Sequence, residues 1–300
     1  MIPIPSQKWW GGVSPNLLHN WDFRNKDSIV NQRGSNEYHG DSSLPYSIDR
    51  WRIGNYQKVA LNDGYVTMTR TAISGNQYFG QYIEFPQKYI GMQITISIIY
   101  RTSRDIYRLS VNTSVGEMSS DIIPASSEWT LFSYTFVMPE LSTTMNFRIQ
   151  DVAASLGIAE VGQSIDIAAA KVEVGDTSTL LNDPPMEYGT ELAKCQRYYV
   201  TMKNINMIIP GNTNASGNFY GAIALPVNMR TTPAIAYQTS AGALRTIDGL
   251  VSISNIVITF YRMFANIIMV TSNTSSLNLS KNIPATLGLS DAALTFSADI

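Results

Sequence analysis

Apolar and polar residues alternate with a period of two through most of the first 175 positions. The alternation is clear over residues 64–70, 89–100, 107–111, 129–136 and 145–149. It is the pattern of strands that bury one face. Turn-forming runs break it at Asn62-Asp63-Gly64, Ser74-Gly75-Asn76, Val115-Gly116-Glu117 and Ser126-Ser127-Glu128. Roughly eight or more short strands with no amphipathic helix between them predict an antiparallel jelly-roll sandwich.

The texture changes between Asp183 and Arg197. Asp183 as N-cap, Pro184 at the first helical position and glutamates in the first turns predict a short helix. Tyr188, Leu192 and Cys195 would form its apolar stripe. The chain then returns to β patterns over 197–202, 218–225, 234–237, 251–253, 256–264, 266–270 and 294–298, separated by Asn/Gly/Ser loops such as 211–217. The expected organisation is an N-terminal arm (1–15), a jelly roll (16–176), a linker with a short helix (177–197) and a C-terminal β-sandwich domain (198–300). The fold class is all-β.

Charge adds to this picture. Charged residues make up 15% of the chain, against roughly 25% in ordinary soluble domains. Only eight of them lie beyond residue 200. A β domain so poor in charge should pair edge to edge unless symmetric partners bury its faces, so its composition predicts an oligomer. An obligate interface of about 2,000 Å² or more resembles a core cut in half. The net charge of −2 and a pI near 5.7 disfavour nucleic acid and anionic membranes as partners. No run is apolar and long enough to span a bilayer. Residues 1–5 lack a basic region followed by an apolar one, so no secretory signal is expected. The lone Cys195 excludes an intrachain disulfide and a multi-cysteine zinc site, and reads as a small buried hydrophobe. The arm carries Pro3, Pro5, Trp9-Trp10, Gly11-Gly12 and Pro15. Its two tryptophans either dock on a neighbour or pack back on their own domain.

Five phrases occur in order along the chain: Asn16-Leu17-Leu18-His19-Asn20-Trp21-Asp22-Phe23; Asn31-Gln32-Arg33-Gly34 followed by Tyr46-Ser47-Ile48-Asp49-Arg50-Trp51; Ala170-Lys171-Val172-Glu173-Val174-Gly175; the stretch 184–199; and Leu225-Pro226-Val227-Asn228-Met229-Arg230-Thr231-Thr232-Pro233. Together they resemble phage and prophage tail fibre, or receptor-binding, proteins that carry a carbohydrate-binding-module-like jelly roll and a β tip domain. Trp21, where glycine is common, and Leu225, where phenylalanine is common, depart from the usual wording. The resemblance implies a homotrimeric virion structural protein that attaches the phage to a bacterial surface glycan. Residues 198–300 would serve as its tip and trimerisation domain, and Trp9 and Trp10 would anchor it to other virion proteins. The alternatives are a head or neck fibre or baseplate decoration without a receptor role, and a polysaccharide-degrading tail enzyme.

Catalytic chemistry finds little foothold. The only histidines, His19 and His39, sit in a strand and a polar loop, so neither a Ser/His/Asp nor a Cys/His arrangement is marked. No local motif marks a glycosidase carboxylate pair, and no glycine-rich phosphate loop occurs. The protein is therefore expected not to be an enzyme. Four Asn-x-Ser/Thr sequons, at Asn112, Asn214, Asn273 and Asn278, are what chance gives in a chain this rich in those residues. Sugar binding would use aromatic faces rimmed by polar groups. Tyr38, Trp51, Tyr56 and Tyr78 are the candidates, although a tryptophan at the start of a strand more often fills a sandwich core. Phe219, Tyr220 and Tyr237 read as packing. No cofactor is expected apart from a structural Ca²⁺, which the resemblance implies where first and last strands meet. Asp22 and Asp166 stand at the matching ends, where they read equally as turn and edge polar residues.

Overall fold

The computed structural model describes residues 13–40, 46–75, 77–214, 218–238, 241–246, 249–253, 258–264, 266–272 and 284–298. The chain divides into two compact units, Met1–Glu191 and Leu192–Ile300. Trp9 and Trp10 lie outside the described residues.

The first unit contains β1 (Glu37–Gly40), β2 (Arg52–Ile53), β3 (Gln57–Asn62), β4 (Tyr65–Arg70), β5 (Gln77–Tyr82), β6 (Gln93–Thr102), β7 (Tyr107–Thr113), β8 (Gly116–Ser119), β9 (Ser126–Val137), β10 (Met145–Asp151) and β11 (Ser164–Val174). They form a six-stranded sheet, β1-β3-β4-β11-β6-β9, and a five-stranded sheet, β2-β5-β10-β7-β8. The pairings are antiparallel throughout, and the result is the jelly-roll sandwich that the alternation predicts. Val59, Met68, Ile96, Ile98 and Val172 from one sheet meet Ile53, Phe79, Leu109, Val111 and Phe147 from the other in a single core.

Trp51 is the centre of that core and wholly buried. It stacks on Phe79 with ring centroids 4.3 Å apart and meets Phe23 and Phe147 edge-on at 5.5 and 6.2 Å. Its indole N–H donates to Asn20 O at 2.8 Å. Asn20 adopts a left-handed φ of 54°, a conformation asparagine tolerates better than most residues. Its side chain donates to Val30 O and Asp49 O and accepts from Val30 N. Asp49 in turn accepts from Gln32 N, Gln32 Nε2 and Arg33 Nη1 at 2.8–3.1 Å. The first two sequence phrases are therefore two halves of one buried polar knot.

A buried ion pair joins the sheets. Arg70 of β4 donates from Nη2 and Nε to the two carboxylate oxygens of Asp151 on β10, at 2.6 and 3.0 Å. Side-chain exposures are 0% and 2%.

β11 buries a second charge. Lys171 is fully buried and donates to Asp183 and to Thr179 Oγ1, with Glu173 Oε2 3.4 Å away. Glu173 accepts from Thr179 N and Oγ1 at 2.7 and 2.6 Å. These bonds correct the predicted helix start. Asp183 is committed to the buried ammonium, and α1 (Tyr188–Gln196) begins five residues later. Glu187 accepts from Gly189 N and Thr190 N at its first turn. The Thr190 hydroxyl, together with those amides, holds the Glu187 carboxyl below its ordinary pKa. With the helix starting so late, Tyr188 is exposed while Cys195 is buried. The boundary between units falls inside this helix, between Glu191 and Leu192.

The second unit contains β12 (Tyr199–Thr213), β13 (Phe219–Ala224), β14 (Ala234–Gln238), β15 (Ala241–Thr246), β16 (Gly249–Ile253), β17 (Ile258–Phe264), β18 (Ile267–Ser272) and β19 (Pro284–Ser297). Hydrogen bonds join them in the order β16-β15-β19-β12-β13-β18-β17, with β14 on the far end of β19. The pairing of β12 with β19 is its spine and shifts register twice. Ile209, Phe219, Leu287, Leu289 and Phe296 belong to its separate core.

Replacing Arg70 with methionine leaves Asp151 between the sheets without its cation, with the Ala153 N–H as its remaining donor. Urea unfolding of the full chain, followed by tryptophan fluorescence, should show the transition of the first unit destabilised by about 3–5 kcal/mol. A loss below 1 kcal/mol would mean that water reaches the pair.

Candidate functional site

The outer surface of the six-stranded sheet carries an exposed tryptophan, Trp129. The side chains at 94, 96, 98 and 100 of β6 and at 132, 134 and 136 of β9 turn inward. Arg101 and Trp129 therefore point outward, as do Tyr65 and Thr67 of β4 and Asp166 of β11. The register along β6 and β9 is regular up to the pair Tyr100–Thr130 and then jumps to Thr102–Ser126. β9 thus carries two residues more than β6 over that step, a bulge that lifts Trp129 over Arg101.

Trp129 is 41% exposed. The Arg101 guanidinium lies 4.7 Å from its ring centroid and 4.9 Å from that of Tyr65. The two rings are 5.7 Å apart and inclined by 59°. Arg101 Nε donates to Asp166 Oδ2 at 2.7 Å, Thr67 Oγ1 to Asp166 Oδ1 at 2.6 Å, and Asn62 Nδ2 to Thr67 Oγ1 at 2.8 Å. The Asp166 carboxylate raises the pKa of the Arg101 guanidinium, so the cation is permanent. Beside the aromatic pair lies a cavity of about 190 Å³, lined by Arg101, Asp166, Thr102 and the serines at 103, 126, 127 and 164.

The arrangement suits a sugar. Two ring faces present apolar surface to C–H groups. The carboxylate, the guanidinium and the hydroxyls offer acceptors and donors to ring hydroxyls.

The four aromatic candidates from the sequence go elsewhere. Trp51 fills the core. Tyr78 is 1% exposed; it faces away from the core, but the Arg148 guanidinium covers its ring at 4.3 Å. Tyr38 points inward against the core, and its hydroxyl bonds to Asn31 Oδ1. Burial pushes its phenol pKa up. Only Tyr56 shows its ring, at 42% exposure. It sits in a turn with φ 55°, packed so closely that a Cβ on Gly75 would lie 2.6 Å from its Cδ2. Trp129 was legible as a strand residue but not as a ligand contact. Its phase gives the signal: Ser127, Trp129, Leu131, Ser133 and Thr135 share the side opposite Phe132, Tyr134 and Phe136.

Asp22 and Asp166 each pair with an arginine. Asp22 accepts from Arg24 Nε and Nη2 at 2.7 and 2.9 Å, and Asp166 is held by Arg101. Among the described residues no three His, Cys, Asp or Glu side chains gather as metal ligands, and no helix is long and apolar enough to cross a membrane.

No protein-family model matches the chain, and no curated protein does. Solved structures do. A family 4 carbohydrate-binding module is 15% identical, over 46% of this chain and 94% of that one, with a TM-score of 0.34. The C-terminal family 22 module of Clostridium thermocellum Xyn10B is 15% identical, over 48% and 98%, at 0.32. The enzymatically active domain of bacteriophage CBA120 tailspike protein 4 is 12% identical, over 53% of this chain and 21% of that one, at 0.32. Likenesses this low leave the ligand to be decided by the chain's own residues.

With arginines occupying both carboxylates, the melting temperature of the full chain should be the same in millimolar CaCl₂ and in EDTA. A calcium-dependent rise of several degrees would restore the cation to Asp22 and Asp166.

Proposed function

We propose that the protein is a non-enzymatic attachment protein of a phage particle, a trimeric tail fibre or receptor-binding protein that binds bacterial surface glycan through the outer face of its six-stranded sheet. The observation that carries the binding half is the exposed stack of Trp129, Arg101 and Tyr65 beside Asp166 and a hydroxyl-lined cavity. The five ordered phrases support the phage half. Residues of the first three form the knot around Trp51 and the charge cluster of β11, so they mark a particular way of building this sandwich. The charge-poor second unit supports self-association. Three copies of a weak sugar site would act through avidity, with no single tight contact required.

Two measurements test the proposal. Purified full chain should coat cells of a susceptible host, and Trp129→Ala should weaken that coating at least about tenfold while leaving the melting temperature nearly unchanged. Equal coating by the variant would remove the site, and release of reducing ends from host capsule would replace attachment with hydrolysis. Light scattering should give the mass of three chains; a monomer would remove the fibre assembly.

A further inference from the structure

The outer face of the five-stranded sheet, on the opposite side of the sandwich from Trp129, has a different character. Ile53, Phe79, Phe147 and Ile149 turn into the core. Their neighbours Arg52, Tyr78, Gly80, Tyr82, Asn146 and Arg148 therefore turn out. Arg52 on β2 pairs with Gly80 on β5, and Gly80 pairs with Arg148 on β10. Two arginines thus flank one glycine in a straight row, about 10 Å apart across two strand spacings.

Gly80 cannot carry a side chain: a Cβ there would lie 2.3 Å from Phe147 O. The Arg148 stem lies over that position, with its Cγ 3.2 Å from where the Cβ would stand, and Gly80 is buried. Along β5, Tyr78 and Tyr82 border that position on either side. The Arg52 guanidinium lies 5.5 Å from the Tyr46 ring centroid and 5.3 Å from that of Tyr82, and Arg148 lies 4.3 Å from that of Tyr78. Nearby cations have anionic partners: Arg33 pairs with Asp49 at 2.8 Å and Arg108 with Glu117 at 3.2 Å. Arg52 and Arg148 have no carboxylate partner among the described residues. Arg52 Nε is buried with no hydrogen-bond partner among the described residues, so the donors it can offer a ligand are its terminal Nη groups. With its amide turned to satisfy both neighbours, Asn146 accepts from Arg148 Nε and Nη2 at 3.0 Å and donates to Phe147 O, which fixes that guanidinium in place.

We propose that this face is a second carbohydrate site, selective for a saccharide bearing a carboxylate or phosphate. The anionic group would take the terminal Nη donors of Arg52 and Arg148, an end-on fork that matches both chemistries. The sugar ring would lie against Tyr82, the half-buried aromatic residue of β5 on this face. Neutral glycan engages the Trp129 face and anionic glycan this one, so the two sites stand or fall separately.

The test is affinity electrophoresis of the full chain in gels containing polygalacturonate, a glycerol-phosphate polymer or neutral dextran. Trp129→Ala serves as the background, so that the other face is silent. Retardation by polygalacturonate, by the phosphate polymer or by both, without retardation by dextran, is the expected result and tells which anion is read. Arg52→Gln with Arg148→Gln should weaken it at least about tenfold. Arg52→Lys with Arg148→Lys keeps the charge but loses the fork, and should recover only part of the binding. Arg104→Gln, at an exposed arginine paired with Glu160, should change nothing. Retardation by neither anionic polymer, or an equal loss in Arg104→Gln, would overturn the proposal. Far-ultraviolet circular dichroism checks the fold of each variant. Should the glutamine pair unfold, the folded lysine pair decides, and its full retention of binding would equally overturn it.

Discussion

The ammonium of Lys171 lies out of reach of water on the central strand of the six-stranded sheet, and much of the first unit is arranged to tolerate it. An isolated cation there would be prohibitive. Asp183, Glu173 and Thr179 must therefore be brought to it, which folds residues 176–183 back along the sheet. On the other side of the same strand, residues 16–23 pair with it through Leu17 N to Val172 O, Ala170 N to Trp21 O and Phe23 N to Ala168 O. The start and end of the unit are thus both tied to β11. Residues 164–167 of that strand pair instead with β4, and the aromatic face forms beside Asp166.

The sandwich also separates its two outer faces chemically. One shows Trp129 and Tyr65 around an arginine that is already neutralised by Asp166. The other shows tyrosines around arginines that are not. Both depend on the same inward residues, because a strand that commits its even positions to the core commits its odd ones to a face. The core therefore sets the surface chemistry, and moving either face by one residue would destroy the packing behind it.

Much of this architecture is readable from alternation alone. The strands around Tyr65, Tyr107, Trp129 and Met145 stand close to where the pattern puts them, because each has one wet and one dry side. What escapes is what alternation does not encode. The helix start moves because Asp183 answers a charge twelve residues earlier in sequence, a pairing that no local cap rule contains. β12 continues through Pro210 and Gly211 to Thr213, where turn residues predict a loop, because its partner β19 supplies bonds along the whole length. The ligand face escapes for a related reason. Tyr78 and Trp129 both point outward, yet an arginine covers one and a bulge exposes the other. Only cross-strand neighbours distinguish them.

The bulge in β9 has a consequence for how such a protein can change. It holds two extra residues, an even number, so the strand keeps the same phase before and after it. Phe132, Tyr134 and Phe136 stay inside whatever occupies positions 127–129. A substitution, or an exchange of that short stretch for another of equal parity, alters what the surface recognises without shifting a single core contact. The chemistry of the outer face can then drift by small genetic steps while the scaffold that displays it stays constant.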